Sequence, residues 1–405
     1  GLALSSTTFS VNTTTIQARV TGACGAGYAM KTINENGTVI CEPVGSTVAW
    51  SLTGNAGTTP DTNYLGTSDN QALEIKVNNQ RVFRFEPNTT SPNLIGGYSG
   101  NAITTGVLGA TISGGGASGY INNITDSYGS IGGGVGNQAG DAAADASNKP
   151  YATVAGGVQN AASGGYSAIG GGFKNTASGN YSAIGSGAYN STSGDSSAIG
   201  GGGVNIASGN YSAIGGGGAN TASGGYSAIG GGVENKASGL NSAIGGGDSN
   251  TASGTSSAIG GGEENKASGL NSAIGGGYSN LASGEGSAIG AGYKNTASGT
   301  YSTIPGGYYN TASGAFSFAA GNQANATTDG SFVWADAQDA THNDHGVNTF
   351  NVRAQNGSFI DAETGNPGLR VYNSGSGSTA GQGTAILGRS DSNYGYGLAG
   401  WNYWD

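Results

Sequence analysis

The chain has 405 residues, of which 83 are glycine and seven are proline, while 9% are charged and 8% are aromatic. So much glycine without a Gly-X-Y triplet excludes collagen, which leaves a low-complexity disordered chain or a repetitive β-architecture. The net charge of -10 comes with no basic stripe, which argues against a nucleic-acid partner, and no apolar run reaches the roughly 18 residues of a transmembrane helix.

The chain opens on GLALSSTTFSVNTTT, which has neither Met nor a basic stretch and predicts a mature secreted protein after signal removal. Residues 2–20 alternate apolar and polar side chains, which predicts a strand. We favour a strand that closes its own small domain. The alternative is a donor strand that inserts into a neighbouring subunit and links subunits into polymers.

Cys24 and Cys41 flank a segment that predicts a strand, a turn at Asn36-Gly37 and a second strand. Such a hairpin returns the two cysteines to one another. Because the number of cysteines is even and no C-x-x-C pair is present, we predict a disulfide formed in an oxidising compartment rather than two buried thiols or a zinc site. Residues 1–92 are predicted to form an N-terminal β-domain around this hairpin.

A 15-residue phrase recurs from Tyr151 onward, as in YSAIGGGFKNTASGN at 166–180. One unit cannot fold alone, and glycine costs about 1 kcal/mol in a helix relative to alanine, which excludes helical repeats. The prediction is an all-β parallel β-roll or solenoid over residues 93–335, with one coil per repeat. Its large apolar positions are Ile169, Ile184, Ile199, Ile214, Ile229, Ile244, Ile259, Ile274, Ile289 and Ile304.

Asparagine recurs at the same 15-residue step from Asn160 to Asn325. A turn asparagine can adopt the left-handed conformation or bond across the bend, and stacked asparagines can form an amide ladder along the axis. We therefore assign a structural role to Asn175, Asn190, Asn205, Asn220, Asn235, Asn250, Asn265, Asn280, Asn295 and Asn310.

The strand 182–185 and its copies hold small or apolar residues on both faces, because side chains alternate along a strand. Both faces are therefore predicted to be buried. One roll covers a single face, so we expect the same strand of partner chains to cover the other, and we assign the ten isoleucines to the core of the roll and trimer. The alternative is a monomeric solenoid with a wide interior.

The SAIGGG…N.ASG coils of residues 93–335 resemble the head repeats of trimeric autotransporter adhesins, the YadA-type left-handed β-roll. The coil of that family is usually one residue shorter than the 15-residue unit of this chain. The flanking segments resemble those of secreted bacterial proteins with such heads. The resemblance implies a homotrimer displayed at the cell surface or secreted, which adheres to a glycan, a matrix or a host surface.

Neither the heptads of an adhesin stalk nor the alternating strands of its membrane anchor occur in this sequence. The open alternatives are a subunit that polymerises end to end into an extracellular filament and a phage-like receptor-binding tail fibre. Residues 336–405 are predicted to form a C-terminal β-rich cap, and Trp334 at its border is predicted to help close the trimer together with Phe350 and Arg353.

No enzyme, cofactor or metal site is expected. His342 and His345 in DATHNDHG lie near Asp336, Asp339 and Asp344, but such loops are more often solvated turns than metal sites. The glycine runs precede no helix, the coils lack the aspartate of calcium-binding repeats, and the Thr176 column is too irregular for ice binding. Tyrosines on variable columns are predicted to stack along a ladder or to contact a ligand: Tyr166, Tyr181, Tyr211, Tyr226, Tyr278, Tyr293, Tyr308 and Tyr309.

Overall fold

The computed structural model describes residues 2–5, 8–11, 22–26, 28–43 and 50–355. Within these residues every regular element is a strand, and the predicted all-β parallel solenoid is confirmed. The chain divides into two compact units, residues 1–75 with 84–87 and residues 76–83 with 88–405. Residues 6–7 and 12–20 of the predicted N-terminal strand and residues 356–405 of the predicted cap lie outside the described part.

The N-terminal unit contains two short antiparallel pairings among its described residues. Leu2–Ser5 pairs with Thr8–Val11, and Tyr28–Ile33 pairs with Val39–Pro43 across a turn in which Gly37 has a φ of 83°. The Cα atoms of Cys24 and Cys41 are 5.6 Å apart, and their predicted disulfide is present. The strand Tyr28–Ile33 is exposed along its whole length, so the hairpin has little apolar burial to hold it together.

Replacing both cysteines by serine is expected to destabilise this hairpin by about 3 kcal/mol, because the bond closes a short loop whose ends are separated by 17 positions. Hydrogen exchange should show faster opening of residues 28–43, while the coils at 168–304 keep their protection because they belong to the other unit. Unchanged protection of the hairpin would contradict this expectation.

The second unit is a parallel solenoid built from two ladders of short strands. The isoleucine ladder contains Asn93–Gly96, Thr111–Ile112, Ser130–Ile131, Thr153–Val154, Ala168–Ile169, Ala183–Ile184, Ala198–Ile199, Ala213–Ile214, Ala228–Ile229, Ala243–Ile244, Ala258–Ile259, Ala273–Ile274, Ala288–Ile289, Thr303–Ile304, Gly307–Tyr308, Phe318–Asn322, Phe332–Ala335 and Phe350–Arg353. Two further strands, Leu73–Val77 and Gln80–Glu86, precede it.

The alanine ladder is a 16-stranded sheet that alternates along the chain with the first. Its strands are Ala102–Ile103, Asn123–Ile124, Gln138–Ala139, Ala161–Ala162, Thr176–Ala177, Ser191–Thr192, Ile206–Ala207, Thr221–Ala222, Lys236–Ala237, Thr251–Ala252, Lys266–Ala267, Leu281–Ala282, Thr296–Ala297, Thr311–Ala312, Ala324–Ala326 and His342–Asn343. In both ladders the second residue of each two-residue strand of the regular repeats points into the coil, so the interior consists mainly of isoleucine and alanine.

Glycine recurs because successive coils approach too closely for a side chain. A Cβ placed on Gly200 would lie 2.3 Å from the carbonyl oxygen of Gly215 in the next coil. Gly202 has a φ of 87°, and a Cβ there would lie 2.0 Å from the carbonyl oxygen of Gly217. At these two positions of the coil glycine is therefore required by stacking, whereas a Cβ on the glycine between them, as at Gly216, would meet no atom within 4 Å.

The coil length changes near the end of the repeats. Thr303 pairs with Phe318 at the regular step, but Phe318 pairs with Phe332, so the coil between these two phenylalanines is one residue shorter. The ladders also continue beyond residue 335, since Phe332–Ala335 pairs with Phe350–Arg353.

Candidate assembly and binding surfaces

The ten predicted isoleucines lie inside the coil of a single chain, where each is at most 2% exposed. They belong to the same buried cluster as the inward alanines of the second ladder, such as Ala177 and Ala222. One chain therefore shields its own isoleucines. Their further assignment to a trimer core stays a prediction.

The ten predicted asparagines form one continuous hydrogen-bonded column. Asn220 is typical, because its Nδ2 donates to Asn205 Oδ1 at 3.1 Å and to the carbonyls of Gly216 and Gly232 at 3.1 and 2.9 Å. Its Oδ1 accepts from both the backbone N and Nδ2 of Asn235, at 3.0 and 3.2 Å. Each buried amide is thus satisfied by its own coil and by both neighbouring coils.

The column extends further towards the N-terminus than the repeat predicted. Asn122 N donates to Asn101 Oδ1, Asn137 N donates to Asn122 Oδ1, and Asn160 N donates to Asn137 Oδ1. Insertions between these early coils hide the 15-residue step. The signal that identifies them is an asparagine just before each two-residue strand of the alanine ladder.

At the other end the column stops at Asn310, whose Oδ1 accepts from the backbone N of Ala324. Asn325 is not its next member, contrary to the recurrence expected from the sequence. Because the last regular coil is one residue shorter, Asn325 pairs with Thr311 on the alanine ladder, and its side chain donates to Asn343.

Buried serines line the interior beside the isoleucine ladder, and several of their hydroxyls have no hydrogen-bond partner within the described residues, including those of Ser182 and Ser212. Equivalent serines do have one: Ser197 Oγ donates to the carbonyl of Gly194 at 2.7 Å, and Ser272 Oγ to that of Gly269 at 2.8 Å. Ser182 and Ser212 occupy the same position of the coil as Ser197 and Ser272, so we assign a structural role to this column of serines.

A row of alanines on the isoleucine ladder points away from the coil. Its eight exposed members are Ala168, Ala183, Ala198, Ala213, Ala228, Ala243, Ala258 and Ala273, and we name this row the alanine face. Glycines such as Gly170 and Gly185 follow the inward isoleucines and are also exposed. The result is a flat strip of methyl groups and bare backbone, which loses no side-chain entropy when it is covered.

The exposed tyrosines stack, as one of the two sequence expectations proposed. The rings of Tyr128, Tyr151, Tyr166 and Tyr181 follow one another at centroid distances of 5.0, 4.7 and 4.9 Å. A second stack joins Tyr278, Tyr293 and Tyr308, at 5.3 and 5.1 Å.

Two lysines lie over rings of the column that contains Phe173, Tyr278, Tyr293 and Tyr308. Lys174 Nζ is 5.1 Å from the centroid of the Phe173 ring, and Lys294 Nζ is 5.0 Å from that of Tyr293. Hydrogen bonds to Tyr293 and Tyr309 raise the pKa of Lys294. Lys294 therefore stays a protonated cation and is not a reactive amine.

The two histidines lie near the end of the described chain without forming a metal centre. Their ring centroids are 6.3 Å apart, and His345 Nδ1 lies 2.7 Å from Asn351 Oδ1. Burial lowers the pKa of His342, and the charge of Arg353 lowers it further. Among residues 22–26, 28–43 and 50–355, no three His, Cys, Asp or Glu side chains converge to hold a metal ion.

The residues predicted to close the trimer occupy the last described coils. Trp334 and Phe350 are exposed, while Arg353 Nε pairs with Asp336 Oδ1 at 2.9 Å. Burial opposes ionisation of Asp344, but hydrogen bonds led by the backbone N–H and hydroxyl of Thr328 outweigh it and lower the pKa of that carboxyl. This ion pair and these hydrogen bonds hold the last described coils together.

No protein-family model matches the chain, and a search of curated proteins finds no match. The solenoid with its 15-residue register is compatible with the β-roll that the repeats resemble. In the part of the chain that the structure describes, no helix has the length and apolar character needed to cross a bilayer.

Proposed function

We propose that the chain is a non-enzymatic structural and adhesive subunit of an extracellular fibre, which assembles as a homotrimer through the alanine face. The observation that carries this proposal is the contrast between the two sides of one strand. Ile229 is 2% exposed inside the coil, whereas its neighbour Ala228 is exposed and belongs to an uninterrupted apolar row. Continuous exposed apolar strips mark interaction surfaces.

A second copy of the same chain is the partner that fits best. The alanine face follows the 15-residue step of the coils, so only a surface with the same axial repeat can match it along its whole length. The opposite ladder presents Lys236, Thr251 and Lys266 outward, which suits solvent. The choice of three copies comes from the resemblance to adhesin heads, and the disulfide supports an oxidising, extracellular location.

A cysteine introduced on the alanine face tests this assembly. In a parallel trimer Ala213 of one copy lies close to Ala213 of the others, so Ala213→Cys should form covalent dimers on mild oxidation, seen by non-reducing electrophoresis. Lys236→Cys is the matched control, because it sits on the outward side of the alanine ladder and should stay uncrosslinked. Equal crosslinking of both variants, or of neither, would overturn assembly through this face.

A further inference from the structure

One column of turn positions, most often tyrosine, runs from Tyr128 to Phe316 within the described part of the chain. Ser196 is its one small residue that has tyrosine both in the coil before, Tyr181, and in the coil after, Tyr211. The backbone keeps the same left-handed conformation there, with φ of 57°, 55° and 59° at these three positions. Only the ring is missing.

The missing ring leaves a slot between two stacked pairs of rings. Tyr166 and Tyr181 stack at 4.9 Å with planes 9° apart, and Tyr211 and Tyr226 stack at 4.9 Å with planes 4° apart. Tyr181 and Tyr211 are two coils apart, so they are separated along the axis by about 9.6 Å, twice the rise of one coil. Both rings are more than half exposed, at 62% and 56%.

The slot opens into a groove of about 420 Å³ with polar groups along its edge. Asp195, Asn180 and Ser196 line it together with the tyrosines. Asp195 Oδ1 accepts from the backbone N and Nδ2 of Asn180, at 2.9 and 3.2 Å, and Lys149 Nζ donates to Asn180 Oδ1 at 2.9 Å. Within the described residues Asp195 Oδ2 makes no hydrogen bond, so it remains available as an acceptor.

We propose that this slot binds one ring of a neutral, gluco-configured oligosaccharide, held between the faces of Tyr181 and Tyr211. A ring inserted there takes the axial position of the missing tyrosine ring and can make van der Waals contacts of about 3.5–4.0 Å on both sides. A pyranose chair whose two faces carry only axial hydrogens suits such a position.

The chemistry of the edge selects the same class of ligand. A gluco-configured ring carries its hydroxyls equatorially, so they project from the rim, where Asp195 and Asn180 lie, and both of its faces are apolar. The edge carries one charge of each sign, because Asp195 and Lys149 both hydrogen-bond to Asn180, so it favours neutral hydroxyls, and the net charge of -10 disfavours uronates and sulfated sugars. The slot lies within one chain and does not depend on assembly through the alanine face.

Titration calorimetry of the full chain with cellohexaose and chitohexaose tests the proposal. At least one should bind, and mannohexaose, whose axial hydroxyl obstructs one ring face, should bind at least about tenfold more weakly. Tyr211→Ala should weaken binding at least about tenfold. Absence of heat from both gluco-configured probes, or equal binding of mannohexaose, would overturn the proposal.

Filling the slot gives the sharpest test. Ser196→Tyr completes the column with its own most frequent residue, so the variant should fold normally, with unchanged circular dichroism, and should lose binding. Ser256→Tyr is the matched control, since Ser256 occupies the same column between Asn241 and Asn271 and forms no slot. Binding retained by Ser196→Tyr, or lost equally in Ser256→Tyr, would show that the sugar site lies elsewhere.

Discussion

Replacing Asn220 by leucine is expected to lower the free energy of opening of the surrounding coils by about 3–5 kcal/mol. The change deletes three acceptor contacts shared by the two N–H groups of the side-chain amide and two hydrogen bonds that its oxygen accepts. Each buried group left without a partner costs about 1–3 kcal/mol. The bulkier apolar side chain cannot compensate, because the column is enclosed by backbone carbonyls on both sides.

Hydrogen exchange measured coil by coil is the suitable readout, since a stacked array need not unfold in one step. Amides of residues 205–235 should lose protection most, with smaller losses further along the axis. Lys236→Thr is the control: this exposed position carries threonine or lysine in other coils, and the change should stay within about 0.5 kcal/mol. Similar protection in Asn220→Leu and in the unmodified chain would refute the structural role of the asparagine column.

Aspartate placed at two adjacent positions is expected to have opposite consequences. Ile229→Asp puts a carboxylate into an interior that is 2% exposed, which should open the coil at a cost of at least about 4 kcal/mol. Ala228→Asp puts the same group on the alanine face, where a single chain leaves it solvated. That variant should keep its sheet circular dichroism but lose association, because assembly would bury three like charges together.

Circular dichroism and light scattering together distinguish the effects of the two substitutions. Ile229→Asp should lose sheet signal, and Ala228→Asp should retain the signal at a reduced mass. Because the two substitutions introduce the same side chain one residue apart, differences in net charge cannot explain different results. If Ala228→Asp kept the mass of the unmodified protein, the alanine face would not be an interface.

The 15-residue period was sufficient to predict the parallel solenoid and its columns, because in-register stacking repeats each contact at the interval of the sequence. It also predicted the hairpin disulfide of Cys24 and Cys41, since a turn at Asn36-Gly37 folds the segment back on itself. Where the period changes, the prediction was wrong or incomplete. Asn101 was missed, and Asn325 was placed in the wrong column because one coil is shorter than the regular repeat.

The repeat did not show which face of the strand lies in the core. Both Ala183 and Ile184 are apolar, and the sequence predicted burial for each. In the structure Ile184 is enclosed by its own coil, in a cluster that includes Ala177, while Ala183 stays exposed. The slot at Ser196 was likewise hidden, because it depends on the ring geometry of coils on either side rather than on any local motif.

Sedimentation equilibrium of the unmodified full chain, over a range of concentrations, tests most directly whether the alanine face is covered by further copies of the same protein. Three copies of the 39.2 kDa chain predict a species of about 118 kDa that persists on dilution. A well-folded species that stays at the mass of one chain at every concentration would contradict assembly through this face.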